Sequence, residues 1–224
     1  MHNTMITQLN LFTPLLLQGL WTTIILALCS SIIGLILGTA VGVLTSTHSR
    51  IPILAPLLDA YVFCMRGIPF FVQLLIMYFV IPNLCGIDLS PFAAGALALG
   101  LCSTSYVAEI IRAGINAIPK GQWHASLVLG YTRAEALRFI LLPQVIAQTI
   151  PTLANELISV LLSTSILSQI GTLELTKVGS NIISREMNPL FIYLIIAAMY
   201  LVITSFILGL TRLIERKLNH AQRQ

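Results

Sequence analysis

Two groups of residues bring hydrogen-bonding and ionic chemistry into otherwise apolar sequence. Around Glu156, the residues Thr152, Ser159 and Ser163 fall within about 60° of one another at 100° per residue, with Gln148, Thr149 and Asn155 at the margins. The opposite face carries Leu153, Leu157, Ile158, Val160 and Leu161. A carboxylate turned to lipid costs roughly 3 kcal/mol or more, so this stripe faces protein or a water-filled path. It can solvate a polar solute in transit, or it can bond neighbouring helices at ~0.6 kcal/mol per pair. In the second group Asp59, Arg66 and Gln73 recur every seventh residue and share one side of a helix to within about 40°. Pro69 cannot donate to the carbonyl of Met65, which loosens the helix beside Arg66 and permits a bend. Arg66 either binds a solute's carboxylate or pairs with Glu156, Glu109 or Asp59. Cys102, Ser105, Glu109 and Arg112 share a further face, where Glu109 and Arg112 approach a helix end and fit ion pairing and snorkelling.

None of this makes an active site. There is no Gly-Lys-Ser/Thr phosphate loop, so ATP is not expected as this chain's own ligand. No His-x-x-x-His or Cys-x-x-Cys spacing is present, and no metal or other cofactor is expected. His48 and His124 fall in loops and His2 and His220 in the tails, away from any nucleophile at matched depth. Cys29, Cys64, Cys85 and Cys102 are scattered, three of them in apolar runs where a thiol behaves as a small hydrophobe.

The elements that must position these residues are membrane helices. The 224 residues are 57% hydrophobic and 9% charged, with a mean hydropathy of +0.92, more apolar surface than a soluble chain of this length can hide. Spans are predicted at about 21–44, 57–81 (kinked at Pro69), 91–111, 145–167 and 190–210, each matching a hydrocarbon core ~30 Å thick. Leu9–Leu17 reads as an interfacial or short re-entrant piece. Residues 1–47 hold no Lys, Arg, Asp or Glu, and with them no basic leader of a cleaved signal peptide. Five spans put the termini on opposite sides. A cytoplasmic C-terminus collects Arg50, Arg112, Lys120, Arg133, Arg138, Arg212, Arg216, Lys217 and Arg223 inside and leaves Lys177 and Arg185 outside. The net charge of +4 therefore concerns orientation and not nucleic acid. Ser30, Gly34, Gly38 and Gly42 form a row of small residues suited to close helix packing.

Residues 114–143 form the one long polar interruption, and the charge count places it in the cytosol. Pro119 and Gly121 stop the third span, Gln122–Leu129 allows two helical turns, and Gly130 suits a left-handed residue after a helix. Thr132-Arg133-Ala134-Glu135 fits a capping box that opens a second helix, ended by Pro143. Ala125-Ser126 at the centre of the first helix are small enough for another surface to approach. An amphipathic connector lying on the membrane is the alternative.

The order Gly121-Gln122-x-x-Ala125-Ser126-x-x-x-Gly130, Leu142-Pro143-Gln144 and Pro151-x-x-x-Asn155 resembles the cytoplasmic coupling loop of ABC importer permeases, in particular the polar amino-acid group (histidine, glutamine, arginine and opine types). The resemblance covers nearly the whole chain. Gly19-x-x-Thr22-Thr23, Tyr61 through Arg66-Gly67-Ile68-Pro69, and Tyr106-x-x-Glu109-Ile110-Ile111-Arg112-x-Gly114-Ile115 look like further signatures of that group. Two departures stand out. His124 takes the place of the family's loop glutamate, and Leu162-Ser163 the place of a Lys-Asp pair late in the fourth span.

The resemblance implies an all-α membrane protein with the type I ABC importer permease fold, working in the bacterial cytoplasmic (inner) membrane. It implies a second permease subunit, identical or related, two ABC ATPase subunits in the cytosol and a substrate-binding protein outside. ATPase coupling would then fall to Gly121, His124, Ala125, Ser126 and Gly130. The translocation path would fall to Arg66, Thr152, Asn155, Glu156, Ser159 and Ser163. The outer loops Asn83–Ser90 and Gly171–Asn188 are where a binding protein would dock, the latter with room for a short helix. Acids within the spans outnumber Arg66 and point toward a cationic amino acid; an opine or another small polar solute is the alternative cargo. The alternative mechanism is an ATP-independent carrier or channel, whose folds often show duplicated halves that five unlike spans do not.

Overall fold

The computed structural model of the chain describes residues 2–47 and 50–221, with side chains placed between 12 and 216. His48 and Arg223 lie outside the described residues, as do the side chains of His2, Lys217 and His220. Among the described residues the structure is helical, with no strand: α1 (His2–Thr45), α2 (Ala55–Gly67), α3 (Phe70–Cys85), α4 (Pro91–Ala117), α5 (Lys120–Val128), α6 (Arg133–Ile170), α7 (Leu175–Glu186) and α8 (Pro189–Ala221).

Within the described residues α1, α4, α6 and α8 are each long and apolar enough to cross a membrane. A fifth crossing exists only if α2 and α3 count as one broken span, because they meet at 107°. The kink expected at Pro69 is thus a sharp corner. Ile68 is extended (φ −99°, ψ 132°), as a residue before proline prefers, and Pro69 starts α3 with its missing N–H at the one end of a helix where none is needed.

Leu9–Leu17 is not a separate piece. α1 runs through Pro14 without a break, and Phe12 and Leu16 are buried against Leu175, Ile182, Ile192 and Ile196 of α7 and α8. That apolar partner holds the stretch in the bundle instead of at the interface.

The small-residue row of α1 lies along α4. Ser30 donates to the Ala96 carbonyl at 3.1 Å. A Cβ on Gly38 would stand 2.6 Å from the Val107 Cβ and 2.8 Å from the Thr104 carbonyl oxygen, and one on Gly42 only 2.6 Å from the Ala108 carbonyl oxygen. These approaches exist because the glycines have no side chain, and backbone cannot move aside as a flexible side-chain end can. Gly38→Val is expected to destabilise the fold by about 1–3 kcal/mol through overpacking. Gly209→Ala, where nothing lies within 4 Å, should leave stability unchanged or slightly raised. Thermal melting in detergent compares the two, and equal melting temperatures would contradict the α1–α4 contact.

Candidate functional site

α5 begins after Pro119, which holds Ile118 extended and breaks it from α4. It ends in a Schellman motif, with Gly130 at φ +91°, its N–H on the Leu127 carbonyl and the Tyr131 N–H on the Ser126 carbonyl, both at 3.1 Å. The capping box at Thr132 is formed: Glu135 Oε2 accepts from the Thr132 N–H at 2.8 Å, and Thr132 Oγ1 accepts from the Glu135 N–H at 3.3 Å. The helix it opens does not end at Pro143. A π-helical segment, Ala136–Leu141, absorbs the missing N–H, Gln144 Nε2 bonds the Ile140 carbonyl at 2.8 Å, and the backbone continues as the membrane helix α6.

Trp123 fixes which way α5 faces. It is buried with Ile111, Ile115, Ile118, Ala136, Leu141 and Val145, so α5 is welded to the end of α4 and the base of α6. Ser126 shares that inner face, 2% exposed, and donates to the Trp123 carbonyl at 2.7 Å; of the two small residues only Ala125 faces outward. The outer surface also carries Gly121, His124 and Gly130, together with Val128 (87% exposed), Leu129 (76% exposed) and Tyr131. Sequence reasoning passed over Val128 and Leu129, whose lack of any covering partner is visible only in the fold.

α2 and α4 flank an open cavity of about 510 Å³ lined by Asp59, Val62, Phe63, Arg66, Gly67, Tyr106, Glu109 and Arg112. Tyr61 ties the two helices together, its hydroxyl donating to the Leu101 carbonyl at 2.6 Å. Arg112 holds both acids, reaching Asp59 at 3.0 Å and pairing closely with Glu109, while Arg50 meets Asp59 at 2.9 Å. Arg66 is far less committed. It reaches Glu109 only at 3.9 Å, lies over the Tyr106 ring at 5.4 Å and keeps 47% of its side chain exposed. Ion pairing in this region is therefore centred on Arg112, and the guanidinium of Arg66 is open to the cavity.

A second cavity of about 250 Å³ contains Glu156, Ser159 and Ser163 of α6 with Phe70, Cys102, Ser103 and Tyr106. Ser103 donates to Glu156 Oε1 at 2.8 Å, fixing the carboxylate across the α4–α6 contact. Tyr106 lines both cavities, so the Arg66 and Glu156 sites adjoin through one aromatic side chain. Thr152 and Asn155 are exposed and are not among the residues lining the Glu156 cavity; the Asn155 carbonyl accepts from Ser159 at 3.0 Å. Ser103 is absent from the expected site and Tyr106 enters only as part of a signature, because a serine or tyrosine in an apolar helix shows no site role until its neighbours are known.

On the far side, the helix expected within Gly171–Asn188 is α7. Glu174, wholly buried, caps it, accepting from the N–H groups of Lys177 at 2.7 Å and Thr176 at 2.9 Å and from the Tyr200 hydroxyl at 3.1 Å. Burial pushes the Glu174 carboxyl up from its usual value, and these hydrogen bonds oppose the shift without cancelling it. The Leu175 N–H donates to Thr23 Oγ1 at 3.1 Å, which ties α7 to α1.

Comparison with known proteins places the arrangement. The family described as "binding-protein-dependent transport system inner membrane component" matches residues 38–220. The arginine transport system permease protein ArtQ of Bacillus subtilis is 36% identical over 205 residues, 92% of this chain and 93% of that protein. The L-cystine transport system permease protein TcyB of the same organism is 35% identical over 209 residues, 93% of this chain and 88% of that protein. Among solved structures, a crystal structure of an amino acid ABC transporter with histidines superposes with a TM-score of 0.85 at 36% identity, covering 94% of this chain and 97% of that one.

Proposed function

Because the chain belongs to the family of binding-protein-dependent transport system inner membrane components, we propose that it is the membrane-spanning permease subunit of an ATP-driven importer of a polar amino acid. It is a translocation subunit and not an enzyme. Its ATP is bound and hydrolysed on a separate ABC ATPase pair, and its substrate arrives on an extracytoplasmic binding protein. A second permease chain, identical or related, completes the path. In this reading the N-terminus is outside, the C-terminus is cytoplasmic, and α7 with the end of α3 and the turn that follows it (83–90) faces the binding protein.

The observation that carries the reading is the continuity of α6. A single helix leads from the base of the exposed α5 surface to Glu156 and Ser163 beside the inner cavities. Movement of an ATPase against Ala125, Val128 and Leu129 passes through Trp123 to the foot of that helix and along it to the path. Arg66 and Glu156 offer complementary charges to the carboxylate and ammonium of an amino acid, with Tyr106 between them. A cationic or neutral side chain is compatible with the surplus of acids in the bundle.

Reconstitution of the complex purified from native membranes tests this. Vesicles carrying permease, ATPase and binding protein should accumulate a polar amino acid only when ATP is present. Uptake driven by an ion gradient in vesicles holding this chain alone would instead establish an ATP-independent carrier.

A further inference from the structure

The corner between α2 and α3 takes carbonyl oxygens away from their helical donors, those of Met65 and Ile68 among them. Pro69 has no N–H for Met65, and the N–H of Val72 turns to the Pro69 carbonyl at 2.9 Å, away from Ile68. Both gaps are filled by one side chain. Gln73 Nε2 donates to the Met65 carbonyl at 2.7 Å and to the Ile68 carbonyl at 2.8 Å. Irregular backbone at membrane depth persists only where such groups are satisfied.

The amide has one workable orientation. Turned over, its oxygen would face two carbonyl oxygens, so the donors must point at the corner. The consequence is that Gln73 Oε1 is buried with no partner. A buried acceptor left bare is unfavourable. The two donor bonds at the corner set the orientation that leaves this oxygen bare. They bracket Arg66: Met65 precedes it, Ile68 lies two residues beyond, and the guanidinium projects from this last turn of α2 into the cavity over Tyr106.

We propose that Gln73 is a positioning residue, a staple that holds the α2–α3 corner at its sharp angle and thereby fixes Arg66 in the cavity. The corner is a joint with a removable pin. Without the two amide bonds, α2 and α3 are joined directly only through the Ile68-Pro69 backbone, each still packed on α4, and the last turn of α2 that carries Arg66 loses its tie to α3. The link to transport rests on the function proposed above; the geometry of the joint does not.

The test uses the assembled transporter with its native cysteines replaced and spin labels at Leu57→Cys on α2 and Phe79→Cys on α3, both exposed positions. Wild-type Gln73 should give one narrow distance population, and Gln73→Met, of similar length but without donors, a broad one. In transport, Gln73→Met should raise KM about tenfold, as expected for losing hydrogen bonds near 1.4 kcal/mol in sum, with kcat changed less. Pro69→Ala supplies an N–H that reaches the Met65 carbonyl only when Ile68 turns helical, so Gln73→Met in that background should move the distances toward a straighter α2–α3 and not merely broaden them. An unchanged distance distribution in Gln73→Met, or strictly additive effects of the two substitutions, overturns the staple. If Gln73→Met alone fails to assemble, recovery of assembly in the Pro69→Ala background supports it, and persistent loss overturns it. A broadened distance with unaltered transport would sever the joint from the function and refute the positioning of Arg66.

Discussion

Replacing Ala125 with arginine is expected to cut ATP-driven uptake by at least about tenfold, while the protein still inserts and the partner ATPase still hydrolyses ATP. Ala125 is exposed at the centre of α5, next to His124 and close to Val128 and Leu129. The inner face of the helix is pinned separately by Trp123 and Ser126, so a long side chain on the outer face leaves the fold of this chain intact. Under the proposed function, what changes is the surface offered to the ATPase. A small residue in the middle of an apolar patch lets a partner close over it, and a guanidinium there must be desolvated or must hold the partner away. Central interface positions commonly cost 2 kcal/mol or more when altered, and 1.4 kcal/mol is already tenfold. Uptake and ATP hydrolysis are measured on the same vesicles. Parallel loss of both, with the permease still present and the ATPase bound, would argue against coupling at this face, as would unimpaired uptake.

His124 belongs to the same surface and lacks the acidic group usual in the resembling family. The docking proposed for that position would therefore use no carboxylate from residue 124. In the proposed docking the exposed apolar residues Val128 and Leu129 would carry more of the contact, and raised salt should weaken the association of permease and ATPase little.

What could be read in the sequence was local, and what could not was set by neighbours far along the chain. Pro119, Gly130 and the Thr132–Glu135 box act through bonds within a few residues, so their roles were legible before any fold was known. The row Ser30-Gly34-Gly38-Gly42 was legible because a helical period of small residues has one principal use. Pro143 misled because a π-helical segment and the Gln144 amide compensate for its missing N–H, and neither is encoded by a turn residue. The inward direction of Ser126 follows from the tertiary burial of Trp123, three residues earlier on the same face. At Pro69 the reverse holds: a bend was anticipated, but its size depends on where Leu74 and the rest of α3 find their core against α4 and the end of α6. The seven-residue spacing of Asp59, Arg66 and Gln73 assumed one continuous helix, and the corner takes Gln73 off that line. Ser103 and Tyr106 acquire meaning only from Glu156 and Arg66, which reach them across helix contacts.

The charges inside the bundle differ in what they hold, and so in what their loss should do. Arg112 anchors Asp59 and Glu109, and its removal leaves Asp59 to Arg50 alone and Glu109 with only the 3.9 Å contact to Arg66; Arg112→Gln should lower the amount of folded protein. Arg66 holds Glu109 only at 3.9 Å, so Arg66→Gln should leave folding nearly unchanged and act on the solute. A hydrogen-bonded contact between a guanidinium and a carboxylate is worth about 1.5–3 kcal/mol, which predicts a rise in KM of roughly tenfold to a hundredfold. The contrast between ligands is sharper than the rate. Vesicle uptake of the amino acid, competed by the matching amine that lacks the carboxylate, should show strong preference for the acid in the wild type and almost none in Arg66→Gln. Glu156→Gln should do the converse: it keeps an acceptor near Ser103 but removes the charge opposite an ammonium, so a matching compound with hydroxyl in place of the amine should compete almost as well as the amino acid. If Arg66→Gln lowers uptake while the preference for the carboxylate persists, the guanidinium serves the structure of the corner and the carboxylate is bound elsewhere.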